Sequence, residues 1–286
     1  MSSALPPTWI SASAHVPPDA IVGPFCVVGA GVSLGPRCRL GAGCILEGPA
    51  QFGADNEFFP YVVLGTAPQD RSFAGEVTTL VVGDGNVFRE HVTVHRGTAK
   101  DRAITRIGTG GFFLAGSHVA HDCVVGDRVI LGNGTLLGGH VVVEDDVVTG
   151  GRVAIAPRVR IGTGAFLAAG AMIEQNMPPF VIAAGDRARV RALNRVGLER
   201  RAVPREHIHA LEHAFRHLFR SEEPLAVARQ TINRELAADP YVERLLSFWE
   251  DLRSFCHQGP CRFHVAHSQD RLISFSNFIF LEDRSP

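Results

Sequence analysis

The chain has 286 residues, of which 45% are hydrophobic, and its formal net charge at pH 7 is -1. This composition provides for a large buried core in one or two domains, and the near-neutral charge excludes the basic surface of a general nucleic-acid binder. No apolar run approaches the ~18 residues of a membrane span. Residues Met1 to Pro7 lack the basic and apolar regions of a signal peptide. We therefore expect a cytoplasmic protein that binds no nucleic acid and has no transmembrane segment.

An apolar residue recurs at every sixth position through more than half of the chain. The pattern runs without interruption from Ile10 to Leu64 and returns after an insertion. A second insertion shifts the phase by one residue, after which the pattern continues to Ile173 with one polar exception, Thr149. A period of six is typical of hexapeptide solenoids, in which short strands turn corners and stack coil upon coil. The sequence therefore predicts a mainly β protein built on a parallel β-helix.

Four of the six cysteines occupy one position of the repeat, four residues after an apolar anchor, where small side chains recur. No CxxC pair occurs that would favour a metal site. We interpret these cysteines as small buried hydrophobic residues. They are Cys26, Cys38, Cys44 and Cys123.

Two polar insertions interrupt the repeat, at about residues 66–80 and 96–106, and the first contains Gln69 and Asp70. Loops that leave a rigid solenoid are common places for functional residues. The first insertion is therefore a candidate substrate-binding loop, although it also fits a tolerated surface insertion.

The period of six ends after Pro178-Pro179, where the composition changes to one with helical spacing. Prolines near plausible helix starts, Pro204, Pro224 and Pro240, support helices in this part. We expect a β-helix over residues 1–186 and a small α-helical domain over residues 187–286. The end of the second domain, from about residue 256, has no periodic pattern and no assigned role.

One segment, Gly116 to Cys123, brings two histidines and a carboxylate together in a repeat that otherwise carries little chemistry. Three hexads make one coil, so residues about 18 apart lie above one another. Gly139 is therefore expected beside His121, with His140 next to it. A histidine next to a carboxylate is a candidate general base, and the unobstructed N–H of a glycine can stabilise an oxyanion. The group suits acyl transfer to a hydroxyl.

A metal ion is the alternative use of clustered histidines. Hexapeptide solenoids of the gamma carbonic anhydrase type bind zinc through histidines that are more widely spaced. Here two residues separate His118 from His121 and three separate His91 from His95, and neither spacing fits. We therefore expect no metal site.

The chain resembles the UDP-N-acetylglucosamine 3-O-acyltransferases, which begin lipid A synthesis, from about Ile21 to about Phe255. The motifs that carry the resemblance extend well beyond a generic hexapeptide repeat. They are Gln69-Asp70, Val94-His95-Arg96-Gly97-Thr98, His118-Val119-Ala120-His121-Asp122-Cys123, Gly138-Gly139-His140-Val141, Pro178-Pro179-Phe180-Val181-Ile182-Ala183 and Asn194-Arg195-Val196-Gly197-Leu198-Glu199-Arg200-Arg201.

The resemblance implies a left-handed β-helix that forms a homotrimer, with active sites in the clefts between neighbouring solenoids. It implies that His121 removes the proton from the sugar 3-hydroxyl, which then attacks the thioester of a 3-hydroxyacyl chain on acyl carrier protein. Asp122 would support His121, and the Gly139 N–H would bind the oxyanion. The resemblance implies no cofactor other than the phosphopantetheine of the carrier protein.

Further roles follow from the same resemblance. Ala169 would set the acyl-chain length, and a basic surface with Arg201, Arg216 and Arg220 would meet the carrier protein. The residues implied in substrate binding are Gln69, Asp70, His118, His140, Arg187, Asn194, Arg200 and Arg201.

The chain departs from the family pattern at three places on the nucleotide-sugar side. Ser72 replaces a lysine, Ala156-Pro157 replaces a His-Gln pair, and Arg187 replaces a histidine. These departures leave the identity of the acceptor open. It is either UDP-N-acetylglucosamine or another amino-sugar nucleotide, acylated on oxygen or on nitrogen. A catalytically drifted trimeric scaffold is the alternative from a different functional class.

Overall fold

The structure, a computed structural model, describes residues 8–236 and 238–256 of the chain. The end segment, for which the sequence suggests no role, lies outside these residues apart from Cys256. Within them, no helix is both long and apolar enough to cross a membrane.

Three sheets form the faces of the β-helix in the described residues, because each coil contributes one short strand to each face. Their strands are parallel except for the last strand of the third sheet. The first sheet contains, in spatial order, β1 (Trp9–Ile10), β3 (Val27–Val28), β6 (Ile45–Leu46), β9 (Val63–Thr66), β12 (Thr93–His95), β15 (His118–Val119), β18 (Leu136–Leu137), β21 (Ala154–Ile155) and β24 (Met172–Ile173). The second sheet contains β4 (Val32–Leu34), β7 (Ala50–Phe52), β10 (Thr79–Val82), β13 (Ile104–Ile107), β16 (Val124–Val125), β19 (Val142–Val143) and β22 (Arg160–Ile161). The third sheet contains β2 (Ile21–Val22), β5 (Arg39–Leu40), β8 (Glu57–Phe58), β11 (Val87–Phe88), β14 (Phe112–Phe113), β17 (Ile130–Leu131), β20 (Val148–Thr149), β23 (Phe166–Leu167), β25 (Val181–Ala184) and β26 (Arg189–Leu193).

The apolar anchors of the repeat fill the space between the three sheets. Phe58, Phe88 and Phe113 stack on successive coils, with ring centroids 5.4 and 4.7 Å apart. The four cysteines predicted to be small core residues are free and buried. Thr149, the polar exception, is also buried, and its hydroxyl lies 2.9 Å from that of Thr135. Its polarity is therefore satisfied inside the core.

The strands meet at three columns of corners, where many residues adopt positive φ. At the corner between the first and second sheets, Asp122 and His140 have φ of 59° and 62°. Both insertions leave the solenoid at this same corner, between β9 and β10 and between β12 and β13. β9 ends at Thr66 and β10 begins at Thr79, while β12 ends at His95 and β13 begins at Ile104. Both insertions are therefore shorter than the sequence indicated.

The third sheet continues beyond residue 186, the boundary expected from the sequence. The chain reverses at Gly185 and Arg187, whose φ values are 104° and 54°. β26 then pairs antiparallel with β25 as far as Leu193. The period of six ends before this reversal, and an antiparallel hairpin follows a different register, so the repeat does not reveal β26. The helices begin only after Asn194.

Within the described residues four helices follow, and the three longer ones begin at or directly after the prolines singled out in the sequence. Helix α2 buries Ile208, Leu211, Phe215, Leu218 and Phe219, as its helical spacing predicts. It packs against α3, α4 and β26. The helices are α1 (Arg195–Arg200), α2 (Arg205–Phe219), α3 (Leu225–Leu236) and α4 (Pro240–Cys256).

Two buried asparagines, Asn56 and Asn86, connect successive coils through their side chains. Asn86 Nδ2 donates to Asn56 Oδ1 at 3.0 Å and to the Gly108 carbonyl at 3.0 Å, and its Oδ1 accepts from the Gly111 N–H at 2.8 Å. Asn56 in turn donates to the Gly83 carbonyl at 2.9 Å. These bonds satisfy backbone groups that the strands leave unpaired at the corners.

We expect Asn86→Ala to lower the melting temperature by at least ~5 °C, because each buried polar group left unpaired costs about 1–3 kcal/mol. Asn133 is exposed on a later coil, and Asn133→Ala is the matched control with little expected change. Thermal unfolding followed by circular dichroism measures both. Equal shifts in the two variants would contradict the importance of the buried pair.

Candidate active site

The His121 and Asp122 side chains form the centre of the site. His121 Nδ1 lies 2.8 Å from Asp122 Oδ2. Asp122 also accepts from the Thr98 N–H at 2.9 Å and the Thr98 hydroxyl at 2.6 Å, while its own N–H donates to Thr105 Oγ1 at 2.9 Å. The carboxylate is therefore held in one orientation, with no exposed side-chain surface.

These contacts determine the protonation of Asp122 and His121. Burial alone would raise the pKa of Asp122, but hydrogen bonds from His121 and Thr98 outweigh it and hold the pKa below its ordinary value. Because an ionised carboxylate only accepts hydrogen bonds, His121 Nδ1 carries the proton. Nε2, on the far side of the ring, is then the basic nitrogen, and the side chain is still 14% exposed.

The next coil places Gly139 against the His121 ring. A Cβ added at Gly139 would lie 2.6 Å from Cε1 and 2.8 Å from Nε2 of His121, so only glycine leaves room for the ring. The His140 N–H donates to the His121 carbonyl at 3.0 Å. The proximity of these residues, expected from the 18-residue coil, is therefore present in one chain.

His140 connects the His121–Asp122 pair to the second insertion. Its Nδ1 lies 3.0 Å from Asp101 Oδ2, and its Nε2 lies 3.9 Å from Asp122 Oδ2. Asp101 and Thr98 were not recognised as site residues from the sequence, because they lie in an insertion whose path the repeat does not determine. The only available signal was the motif around His95 to Thr98.

His118 lies on the neighbouring strand and belongs to a second histidine pair. Its Nδ1 is 2.7 Å from the Thr93 hydroxyl, and its ring meets that of His95 at 4.8 Å. Burial, with His121 nearby, lowers the pKa of His118. Burial lowers the pKa of His95 further, to about 4. Both rings are therefore neutral at pH 7, which suits positioning by hydrogen bonds and packing.

Asp70 joins the two insertions. Lys100 Nζ lies 2.9 and 3.1 Å from its two carboxylate oxygens, and the N–H and hydroxyl of Ser72 both donate at 2.8 Å. The hydrogen bonds from Ser72 and Lys100 lower the pKa of Asp70. Gln69 is exposed beside it. Lys100, from the second insertion, therefore brings a positive charge to Asp70 in the loop where Ser72 departs from the family pattern.

Arg200 and Arg201, two of the arginines implied in substrate binding, lie at the end of α1. Arg201 Nη1 is 3.3 Å from Asp146 Oδ2, at the corner between the second and third sheets, and the guanidinium lies 5.6 Å from the Phe180 ring centroid. It lines a cavity of about 380 Å³ between the solenoid and the helices. Arg200 is exposed at the end of α1. This chain alone does not join these groups to His121.

Asn194 has a structural part in this chain. Its Oδ1 accepts from the Gly197 N–H at 3.1 Å at the start of α1, and its Nδ2 donates to the Gly164 carbonyl at 2.9 Å. A side chain with both ends engaged fixes the first helix to the solenoid. Its role in substrate binding remains a prediction.

The remaining predicted residues are divided between two corners. Ala169 is exposed at the corner between the third and first sheets, and Arg187 is exposed in the turn between β25 and β26. Ala156-Pro157 lies at the corner of His121, one coil beyond Gly138, where a Cβ would meet Pro157 at 2.8 Å. The family departure at Ala156-Pro157 therefore borders Gly138, the residue before the glycine that packs against His121.

His121, Asp122 and His140 also have the composition of a metal site, since their donor atoms lie within 4.8 Å of one another. Asp122 already accepts bonds from Thr98 and His121, and a metal ion would have to replace them. The hydrogen-bonded arrangement favours the general base, and the expectation that no metal ion binds at this corner remains a prediction.

Comparison with known proteins identifies the family. A model of UDP-N-acetylglucosamine O-acyltransferases, domain 2, matches residues 177–256. An acyl-[acyl-carrier-protein]–UDP-N-acetylglucosamine O-acyltransferase of Stenotrophomonas maltophilia is 41% identical over 246 residues, 86% of this chain and 94% of that one. Its namesake in Verminephrobacter eiseniae is 38% identical over 92% of this chain and 100% of its own length. The chain belongs to this O-acyltransferase family.

A solved member of the O-acyltransferase family confirms the fold. The UDP-N-acetylglucosamine O-acyltransferase of Moraxella catarrhalis is 33% identical, with a TM-score of 0.81 over 84% of this chain and 93% of that one. The left-handed parallel β-helix with a small helical C-terminal part, expected from the sequence, is thus the fold of this O-acyltransferase. The resemblance stated from the motifs is confirmed.

The lowered pKa of His95 predicts acid sensitivity. The folded protein holds His95 neutral, with a pKa of about 4 against an ordinary 6.5, so its stabilising contribution is complete above pH 6.5 and is lost as the pH falls toward 4. We expect the free energy of unfolding to fall by about 2 kcal/mol more between pH 7.5 and pH 5 in the native protein than in His95→Phe. Denaturant titration at both pH values measures this difference.

Each variant is compared with itself at the two pH values, so a loss of stability that the phenyl ring causes at both values cancels. The exposed His15 provides the control, and His15→Phe should retain the pH dependence of the native protein. An unchanged pH dependence in His95→Phe would show that His95 titrates normally.

Proposed function

We propose that this O-acyltransferase moves a 3-hydroxyacyl chain from acyl carrier protein to the 3-hydroxyl of UDP-N-acetylglucosamine. The observation that carries the proposal is the His121–Asp122 pair, oriented by Thr98 and packed against Gly139. The names of the relatives, which specify this donor and acceptor, support it. They favour neither a different amino-sugar nucleotide nor an inactive scaffold.

The proposed reaction begins with proton removal by His121 Nε2 from the sugar 3-hydroxyl. The sugar oxygen attacks the thioester carbon, and the carbonyl oxygen becomes an oxyanion to which the Gly139 N–H donates a hydrogen bond. Collapse of this intermediate forms the ester and breaks the carbon–sulfur bond. The phosphopantetheine sulfur leaves with the proton that His121 returns. Asp122 stabilises the imidazolium during these steps by accepting the hydrogen bond from His121 Nδ1.

No cofactor beyond the carrier-bound phosphopantetheine takes part in this scheme, and no metal ion is needed. The substrate-binding role of Asp70 fits its position in the loop that leaves the His121 corner. Arg216 and Arg220 are exposed on and directly after α2 and are candidates for binding the acidic carrier protein, while Arg201 faces Asp146 instead. We place the reaction in the cytoplasm, where the four free cysteines remain reduced.

The proposal includes a homotrimer with a site between neighbouring chains. Its support is the distribution of the predicted groups over three corners, with His121, Arg201 and Ala169 each at a different one. Around a threefold axis, one corner of each chain meets a different corner of its neighbour. The product would then be the acylated nucleotide sugar that starts lipid A synthesis.

We expect His121→Ala to lower transfer to UDP-N-acetylglucosamine by ~10²–10⁴-fold, because the general base is lost while the fold is retained. The assay combines the purified protein with 3-hydroxyacyl carrier proteins of several chain lengths and detects acylated sugar by mass spectrometry. The matched control is His15→Ala, which changes an exposed histidine outside the site and should leave transfer intact.

A parallel assay with the 3-amino analogue of the sugar tests the acceptor. Transfer to the analogue alone would overturn the proposed acceptor while retaining the acyltransferase. Equal activity of His121→Ala and the native protein would remove His121 from the mechanism.

We expect mixed trimers of His121→Ala and Arg201→Ala to recover activity that neither variant has alone, because some clefts would then join two intact corners. The variants are unfolded and refolded together, and transfer is compared with that of each variant refolded alone. Oligomer mass is measured on the same samples by light scattering. A trimer without recovery, or a monomer with full activity, would contradict a site shared between chains.

A further inference from the structure

A second cluster of metal-binding side chains lies in the helical domain, away from the His121 corner. His213 and His217 stand four residues apart on α2, so both rings lie on one face of the helix. Their ring centroids are 4.8 Å apart. Glu235, near the end of α3, places Oε2 at 3.9 Å from His213 Nε2. The donor atoms of all three residues lie within 4.8 Å of one another.

The two imidazoles are poorly satisfied by the protein. Among the described residues, neither His213 Nδ1 nor His217 Nδ1 has a hydrogen-bond partner, although both atoms are buried. Glu223 Oε2 approaches His217 Nδ1 at 3.5 Å, which is longer than a good hydrogen bond. A buried polar atom without a partner costs stability. Neither ring is therefore held at Nδ1 by a hydrogen bond from the described residues, and each can rotate to present a nitrogen to a cation.

We propose that His213, His217 and Glu235 bind a divalent transition-metal ion of the zinc type. Two histidines at this helical spacing with one glutamate are a common zinc donor set. Imidazole ligands favour such ions over Mg²⁺ or Ca²⁺, which prefer oxygen. The His213 and Glu235 side chains are 37% and 40% exposed, so they have room to rotate toward an ion.

The charges around the cluster fit this ion. Glu223, from the segment between the helices, is the nearest additional carboxylate and would complete or balance the site. Arg234 is the competing cation, but it binds the other oxygen of Glu235, Oε1, at 3.1 Å. The ion would connect α2 to α3, and its role is to stabilise this helical pair. The proposal is independent of the acyl transfer.

The test measures binding of Zn²⁺ to the full chain after treatment with a chelator. We expect isothermal titration calorimetry to show that the native protein binds one molar equivalent of Zn²⁺. The affinity for this ion should be at least tenfold lower in His213→Gln and in Glu235→Gln. The same addition should raise the melting temperature of the native protein and not of these variants. The control is His209→Gln, an exposed histidine of the same helix, which should bind as the native protein does.

The His121 corner is the competing location, so His140→Gln is titrated in parallel. Retention of the equivalent in His140→Gln supports the helical site. Loss of the equivalent in His140→Gln alone, or unchanged binding in both helical variants, would overturn the proposal. So would the absence of any Zn²⁺ binding by native protein that circular dichroism shows to be folded. Glu235 is exposed, so its variant remains informative even if a histidine variant fails to fold.

Discussion

The pairing of each coil with the next is the constraint on which the rest of this molecule depends. Because the coils pair in parallel, a strand residue has a fixed neighbour one coil away, as Val119 has Leu137. The corners must then repeat the same conformation, which explains why Asp122 and His140 share a positive φ. A functional side chain at one corner is therefore positioned by the whole stack and not by its local sequence.

A buried carboxylate is the feature that the solenoid must accommodate to carry out chemistry. Asp122 has no exposed side-chain surface, and an isolated charge there would be strongly unfavourable. The second insertion resolves this by bringing the N–H and hydroxyl of Thr98 to the carboxylate. The same insertion contributes Asp101 to His140 and Lys100 to Asp70. It therefore supports the site electrostatically, in addition to any contact with substrate.

The sequence predicted those parts of the structure that follow the period of six. The β-helix, the buried cysteines and the closeness of Gly139 to His121 follow directly from the repeat, because its geometry is regular. Asp101 could not be placed in the same way, because its insertion follows no period. Asn194 shows another limit, since a motif identifies a residue without revealing that its side chain is engaged in a helix cap. The end of the sheet was missed because β26 reverses direction.

The distribution of predicted groups is the argument for the proposed homotrimer. A solenoid corner is convex, whereas acyl transfer benefits from a cleft that excludes water. The insertions form one wall beside His121, while Arg201 and Ala169 belong to corners that face other directions. A second copy is the simplest source of the opposite wall, because a threefold arrangement repeats the same contact at each of three clefts. Because the stack is regular and rigid, one chain of the proposed trimer can present different halves of the site to its two neighbours.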